Sequence, residues 1–309
     1  MKNLTRPHSH SSTLCVFSLF FYLFFSSPSL INARRFSPFS MSVGATTTIN
    51  GREVIKVTKN GKFVDLAKWN ALGNTTMQGW DDCASLVAPI GTNFTQGPIL
   101  TDLRDNKQYE IRKFSDGKCW MVDNLMYGGD VDACAGKTTF DGNGSATPSN
   151  QFGAGTFGDC RDPRVGGSAP CTAGSTTCGY YYNWQAAMQH ETAYYNTTYI
   201  GPTTNVQGLC PEGWRLPSSN TSGDFGALHS LVGSPATGFW QSPGNWKGVY
   251  GGYCVGSGAI DRQGTYGYWW STTLSTVTRS YLMYFINNNA VMTYTWYKNG
   301  GFSIRCLKN

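Results

Sequence analysis

GYWWSTT at 267–273, SYLMYFI at 280–286, NNN at 287–289, AVMTYTWY at 290–297, KNGG at 298–301 and FSIRC at 302–306 decide the fold. Runs rich in aromatic and β-branched residues alternate here with Asn and Asn-Gly-Gly turn signals, the pattern of a terminal β-meander. In the second run Tyr281, Met283 and Phe285 share one face, and Leu282, Tyr284 and Ile286 the other. Both faces are apolar, which predicts a strand inside a sheet with no solvated side. In the last run Phe302, Ile304 and Cys306 share a face opposite Ser303 and Arg305. The closing cysteine points to a tether to an earlier part of the chain.

Around this stretch, composition narrows the class. The chain has 309 residues, enough for one large domain or two ordinary ones. Glycine is abundant at 37 and aromatic residues make up 14%, whereas charged residues make up only 14%. That balance suits an extracellular, loop-rich β or α+β domain better than a cytosolic enzyme.

At the N-terminus, Lys2 and Arg6 precede the apolar run LCVFSLFFYLFF at 14–25, with SSPSLINA after it. A basic start, a short apolar core and small residues make a secretory signal peptide over 1–33, cleaved near Ala33. Twelve apolar residues are too few to cross a hydrocarbon core of roughly 30 Å, so membrane contact is expected only through an uncleaved leader. The bulk of the apolar run follows Cys15 instead of preceding it, so Cys15 is no lipidation site. Loss of Lys2 and Arg6 takes the formal charge from +6 to +4. The remaining basic residues are scattered, which excludes a nucleic-acid surface.

Nine cysteines follow the leader: Cys83, Cys119, Cys134, Cys160, Cys171, Cys178, Cys210, Cys254 and Cys306. In an exported chain they are expected in disulfides, with Cys171–Cys178 and Cys83–Cys119 favoured by proximity. No C-x-x-C or Cys/His spacing suits zinc, and an odd number leaves one thiol outside the bridges.

Residues 34–76 read as a polar lead-in, with a hairpin at 51–66 around Asn60-Gly61. A short helix is expected in LAKWNAL and a helical turn in QGWDDCASLV. ILTDL, YEIRKF and CWMVDNL are then strand candidates between the turns Asp105-Asn106 and Asp116-Gly117. The Gly/Ser/Thr-rich span 126–178 carries four cysteines and reads as a long stapled insertion. Helices are predicted over GYYYNWQAAMQHE at 179–191 and SGDFGALHSLVG at 222–233. Ser222 is the expected cap of the second, with Phe225, Leu228, Leu231 and Val232 as its apolar stripe.

GKCWMVDNL at 117–125, YYYNWQAAM at 180–188, LCPEGWRLP at 209–217, YWWSTT at 268–273 and GFSIRC at 301–306 occur in that order. The series, with MQGWDDC and LTDLRDNKQYEIRKFSDGKCW upstream, resembles the Fibrobacter succinogenes major paralogous domain over 77–309. That family is usually found on exported bacterial surface proteins. The resemblance implies a C-type lectin-like α+β fold: two helices, twisted antiparallel sheets and long disulfide-stapled loops. It also implies a bridge from Cys210 to Cys306.

Catalytic and metal motifs are sparse. The Glu-Pro-Asn, Gln-Pro-Asp and Trp-Asn-Asp strings of Ca²⁺-dependent lectins are missing, and QSPGNW at 241–246 lacks a carboxylate. DGNGS at 141–145 lacks the distant Glu of a Ca²⁺ loop and reads as a turn. His190 and His229 accompany no nucleophile motif, and no carboxylate pair stands out. No metal and no cofactor are therefore expected. Aromatic loops remain as the signal: Trp240, Trp246, Tyr250 and Tyr253 are the expected binding residues, whereas Trp269 and Trp270 are expected in the core. The expectation is a non-catalytic, secreted or cell-surface adhesion module for a polysaccharide or surface protein. A cysteine-dependent enzyme of the formylglycine-generating type and a structural envelope protein are the alternatives.

Overall fold

A computed structural model of the chain describes residues 75–88, 96–129, 160–188, 205–233 and 239–309, except 174, 241, 243, 257 and 288. It also describes 132, 134–138 and three short strands between 47 and 65. The leader with Lys2, Arg6, Cys15 and Ala33, the LAKWNAL helix, DGNGS and His190 lie outside these residues.

Among the described residues the fold is α+β, with two helices, several small antiparallel sheets and four disulfides. Strands β1 (Thr47–Ile49), β2 (Arg52–Lys56) and β3 (Phe63–Asp65) form one antiparallel sheet, and β2 and β3 are the arms of the hairpin expected at 51–66. QGWDDCASLV gives a 3-10 turn, Asp82–Ser85. The three predicted strands follow as β4 (Ile99–Thr101), β5 (Gln108–Lys113) and β6 (Cys119–Met121), paired in sequence. Asn106 at φ 62° and Gly117 at φ 76° occupy their turns.

After the short antiparallel pair β10 (Tyr253–Cys254) and β11 (Ile260–Asp261), the terminal meander consists of β12 (Gly267–Leu274), β13 (Arg279–Ile286) and β14 (Asn289–Tyr297), all antiparallel. Ile286 pairs with Asn289, and Asn287 has φ 48°, the left-handed backbone that a tight hairpin turn requires. Central β13 is covered on both sides. Tyr268, Trp270 and Leu282 belong to one core with Trp184, Trp214, Phe302 and Ile304. Trp269, Met283 and Phe285 belong to a second core with Trp120, Phe225, Trp240 and Trp246. Trp269 and Trp270 are thus core residues.

FSIRC does not extend the meander. Phe302 bridges Tyr182, Ser303 bridges Trp269, and the chain enters β15 (Leu307–Lys308). Strand β15 lies between β6 and β9 (Trp214–Arg215), closing the order β4-β5-β6-β15-β9. The polar face of the run explains this path. Buried Arg305 and Ser303 need acceptors, which Asn124, Trp246, Lys247 and Cys178 supply and an open strand edge does not.

The first predicted helix is shorter than its sequence pattern. Tyr181–Tyr182 form β8, paired with β7 (Cys160–Arg161), and α1 covers Trp184–Met188. Asn183 starts the helix, its Oδ1 accepting the Ala186 N–H at 2.9 Å. Gly179, at φ 65°, brings Tyr180 to the Leu125 carbonyl, and a Cβ there would lie 2.5 Å from that oxygen.

Helix α2 spans Asp224–Val232, and Gly223 takes the capping position in place of Ser222. The Ser222 hydroxyl is drawn to Asn220 Oδ1, which also accepts the Gly223 N–H. Phe225 and Leu228 are buried, but Leu231 is 57% exposed, so the stripe is narrower than expected. Asp224 receives Arg215, Lys118 and the Ser218 N–H and hydroxyl within 2.6–2.8 Å. Burial pushes this carboxyl up, but Arg215, Lys118 and Ser218 outweigh it and hold it well below the usual range. A depressed carboxylate contributes stability above its unfolded pKa of about 3.9 and loses it as pH falls. Asp224→Asn is therefore expected to cost about 3 kcal/mol at neutral pH, a gap that narrows below about pH 4 in urea titrations.

Four bridges staple the loops: Cys83–Cys119, Cys134–Cys160, Cys171–Cys178 and Cys210–Cys306. Two lie within or at the border of the 126–178 insertion. Cys254 is the buried ninth thiol. Lys298 is also buried, its ammonium 4.4 Å from the centre of the Trp184 ring, with no hydrogen-bond partner among the described residues. Burial lowers its pKa to about 8. A lysine depressed in the fold opposes folding while charged in both states, and this penalty fades as pH rises from about 8 toward 10.5. Lys298→Met should raise the melting temperature at neutral pH and lose that advantage near pH 10.5.

Candidate functional site

The strands of the meander place side chains alternately on its two faces, and register decides which aromatics meet. Tyr268 stands opposite Tyr284, Leu282 opposite Tyr294, and Ser280 opposite Trp296. These residues therefore share one face. Toward Phe302 the face is sealed, and away from it the aromatics reach the surface. Tyr266, Tyr284, Tyr294 and Trp296 are half-buried there, packed on the rim of the first core.

The rings form a continuous row: Tyr266 stands just before β12, Tyr284 on β13, and Tyr294 and Trp296 both on β14. Centroid steps are 5.8 Å from Tyr266 to Tyr284, 5.1 Å on to Tyr294 and 6.0 Å on to Trp296. Tyr268 and Tyr253 support it from beneath, with Tyr253 against Tyr268, Trp296 and Phe302 at 5.2–5.3 Å. The outer edges of the row are polar. Among the described residues, nothing hydrogen-bonds the hydroxyls of Tyr266, Tyr284 or Tyr294, or the indole nitrogen of Trp296, and none of these atoms is sealed from solvent. Rigid rings with open donors offer a ligand apolar contact and hydrogen bonds at little entropic cost. Burial raises the Tyr253 phenol to about 12, aided by its hydrogen bond to Asp261, and raises Tyr284 as well. Both are neutral donors at physiological pH.

Three of the four aromatics expected to bind are buried instead. Trp240 and Trp246 are fully enclosed in the second core, where Trp246 touches Phe114, Trp120, Phe225, Trp240 and Trp269. Tyr253 lies under the row, 5% exposed. Tyr250 is half-buried and stacks on Phe285 at 4.9 Å, on the opposite side of the sheet from the row. The reason is shared: a small sheet with two apolar faces needs covering on both, and the Gly/Trp-rich loops fold back to supply it.

No family model, curated protein or solved structure matches this chain.

Several buried carboxylates of the described residues are paired inside the fold. Asp102 is held by Arg104 and Gln78, Glu110 by Arg112 and Lys247, and Asp162 by Arg164. Burial pushes each of these carboxyls up, and the cations and hydrogen bonds more than reverse it. His229 stacks on Trp240, and burial lowers its pKa. Among the described residues, no group of three or more His, Cys, Asp or Glu side chains is placed to hold a metal, and no helix is long and apolar enough to cross a membrane.

Proposed function

We propose that this chain is a secreted or cell-surface binding module of C-type lectin-like architecture, related to the Fibrobacter succinogenes major paralogous domain. It holds an extended polysaccharide along the row Tyr266–Tyr284–Tyr294–Trp296 and performs no catalysis on it. The carrying observation is the row itself, four half-buried rings with free polar edges on a disulfide-stapled scaffold. Sugar rings have apolar faces and hydroxyl edges, the chemistry that such a surface complements. Successive ring steps of 5.1–6.0 Å suit an extended polymer laid along the row. The leader and the four bridges support an extracellular setting. Eight cysteines in bridges and a buried Cys254 weigh against a cysteine-dependent enzyme.

Affinity electrophoresis of the oxidised protein through gels containing soluble glycans tests this reading. Tyr284→Ala and Tyr294→Ala should each weaken retardation about five- to ten-fold while far-UV circular dichroism shows both variants folded at the assay temperature, as expected when a stacking contact of about 1 kcal/mol or more is lost. Equal retardation of both variants and the parent protein would reject the row as the site. Binding to isolated surface proteins but to no glycan would reject the polysaccharide.

A further inference from the structure

We infer that the polymer held on the aromatic row is acidic and that Arg262 reads its carboxylates. This rests on the reading of the row as a sugar site, and deepens it by naming the ligand class.

Arg262 stands at the Tyr266 end of the row. Its guanidinium lies 4.8 Å from the centre of the Tyr266 ring and donates one hydrogen bond, 3.3 Å long, to the Tyr268 hydroxyl. The side chain is 43% exposed. A guanidinium has five N–H donors in a planar fork that matches a carboxylate. Asp261, the nearest acid, stays 3.8 Å from Arg262 Nε, and its oxygens are engaged by the Tyr253 hydroxyl and the Arg262 backbone N–H. Most of the fork is therefore open beside the row.

The backbone beneath is held firmly. Arg262 has φ 57°, a left-handed conformation that costs a non-glycine residue about 1–2 kcal/mol. Neighbours hold it there. The Arg262 carbonyl accepts the Thr265 and Tyr266 N–H groups, Gly252 N–H donates to Tyr266, and Gly264 N–H donates to Tyr250. Gln263 donates to Pro163 and to the Tyr181 hydroxyl while accepting the Ser168 N–H. Gly252 packs so closely that a Cβ would sit 2.3 Å from the Asp261 carbonyl and 2.5 Å from the Gln263 nitrogen. A backbone fixed in this way lowers the ordering cost of binding, which then falls on the side chain alone. The spacing also fits: a carboxylate on the sugar stacked at Tyr266 falls within reach of the fork.

The test compares polygalacturonate and alginate with neutral laminarin and mannan, at low and high salt. The parent protein should bind the acidic chains more tightly, and high salt should erase the difference. Arg262→Gln should weaken acidic binding about five-fold more than neutral binding, the scale of one exposed charge pair. Arg262→Lys should restore part of the loss, and Asp261→Asn should strengthen acidic binding by removing a like charge. Equal acidic binding by Arg262→Gln and the parent overturns the inference, as does a salt-independent preference for neutral chains. If Arg262→Gln leaves acidic binding at the parent's level while Tyr284→Ala still weakens neutral binding, Arg262 alone is misassigned. If neither class binds, the sugar site falls with it.

Discussion

Replacing Cys210 and Cys306 together by serine should lower the stability of the oxidised protein by about 4–5 kcal/mol, more than the loss of any other bridge. This bridge closes the longest loop, with a sequence separation of 96 against 36, 26 and 7 for the others. Freed, the unfolded chain regains the entropy that the cross-link denies it, and the gain grows with loop length. The folded state loses as well, because both sulfurs lie in the first core. From Cys306 the chain enters β15, which joins β6 to β9, so the bridge ties the last strand to the segment before β9. Against a typical domain stability of 5–15 kcal/mol, the loss is a large fraction. Urea unfolding of the parent and double-serine proteins measures it. A smaller loss than for the Cys171/Cys178 double-serine variant would contradict the loop-length argument.

The meander and the β4–β6 strands were legible because they obey local rules. Alternation, β-branched runs and Asn or Gly turns determine both strand identity and side-chain facing, as in Ser280–Ile286. The short extent of α1 was not legible. Tyr180–Tyr182 lie in phase with a helical pattern, yet Tyr182 exchanges backbone bonds with Phe302, 120 positions on, which no local pattern encodes. For the site, the sequence marked aromatic loops, and the structure buries Trp240 and Trp246 to cover the second face. Trp296 stood out as an aromatic beside the meander, but the grouping with Tyr266, Tyr284 and Tyr294 depends on register. A register shift between Leu282 and Tyr284 places Val291 opposite Tyr284, where the unbroken register from Leu282–Tyr294 would place Met292, and such a bulge is invisible before strands are paired. Arg262 was hidden among scattered basic residues, and only its turn brings it to the row.

Arg305→Met should cost about 3–5 kcal/mol and disturb both tryptophans that flank it. The guanidinium is fully buried, 4.6 Å from the Trp246 ring centre and 4.9 Å from that of Trp269. It donates to Asn124 Oδ1 at 2.8 Å, to the Lys247 carbonyl at 3.0 Å and to the Trp246 carbonyl. Burial lowers its pKa to about 9, so it remains a cation at neutral pH. A buried ion pair can sometimes be exchanged for apolar residues at no loss, provided both partners are replaced. Here two of the acceptors are main-chain carbonyls, which no substitution removes, and a methionine leaves them without this donor. Lysine keeps the charge but cannot reach three acceptors while covering two rings, so Arg305→Lys should recover little. Near-UV circular dichroism should lose tryptophan signal, since Trp246 and Trp269 pack at 5.7 Å in a T-shaped pair that the cation flanks. Parent-like stability in Arg305→Met would show that the carbonyls find other donors. The effect should extend to binding. Trp269 and Met283 back the same strands whose other face carries Tyr268 and Tyr284, so loosening the second core should blur the aromatic row and weaken glycan retardation without touching a ligand contact.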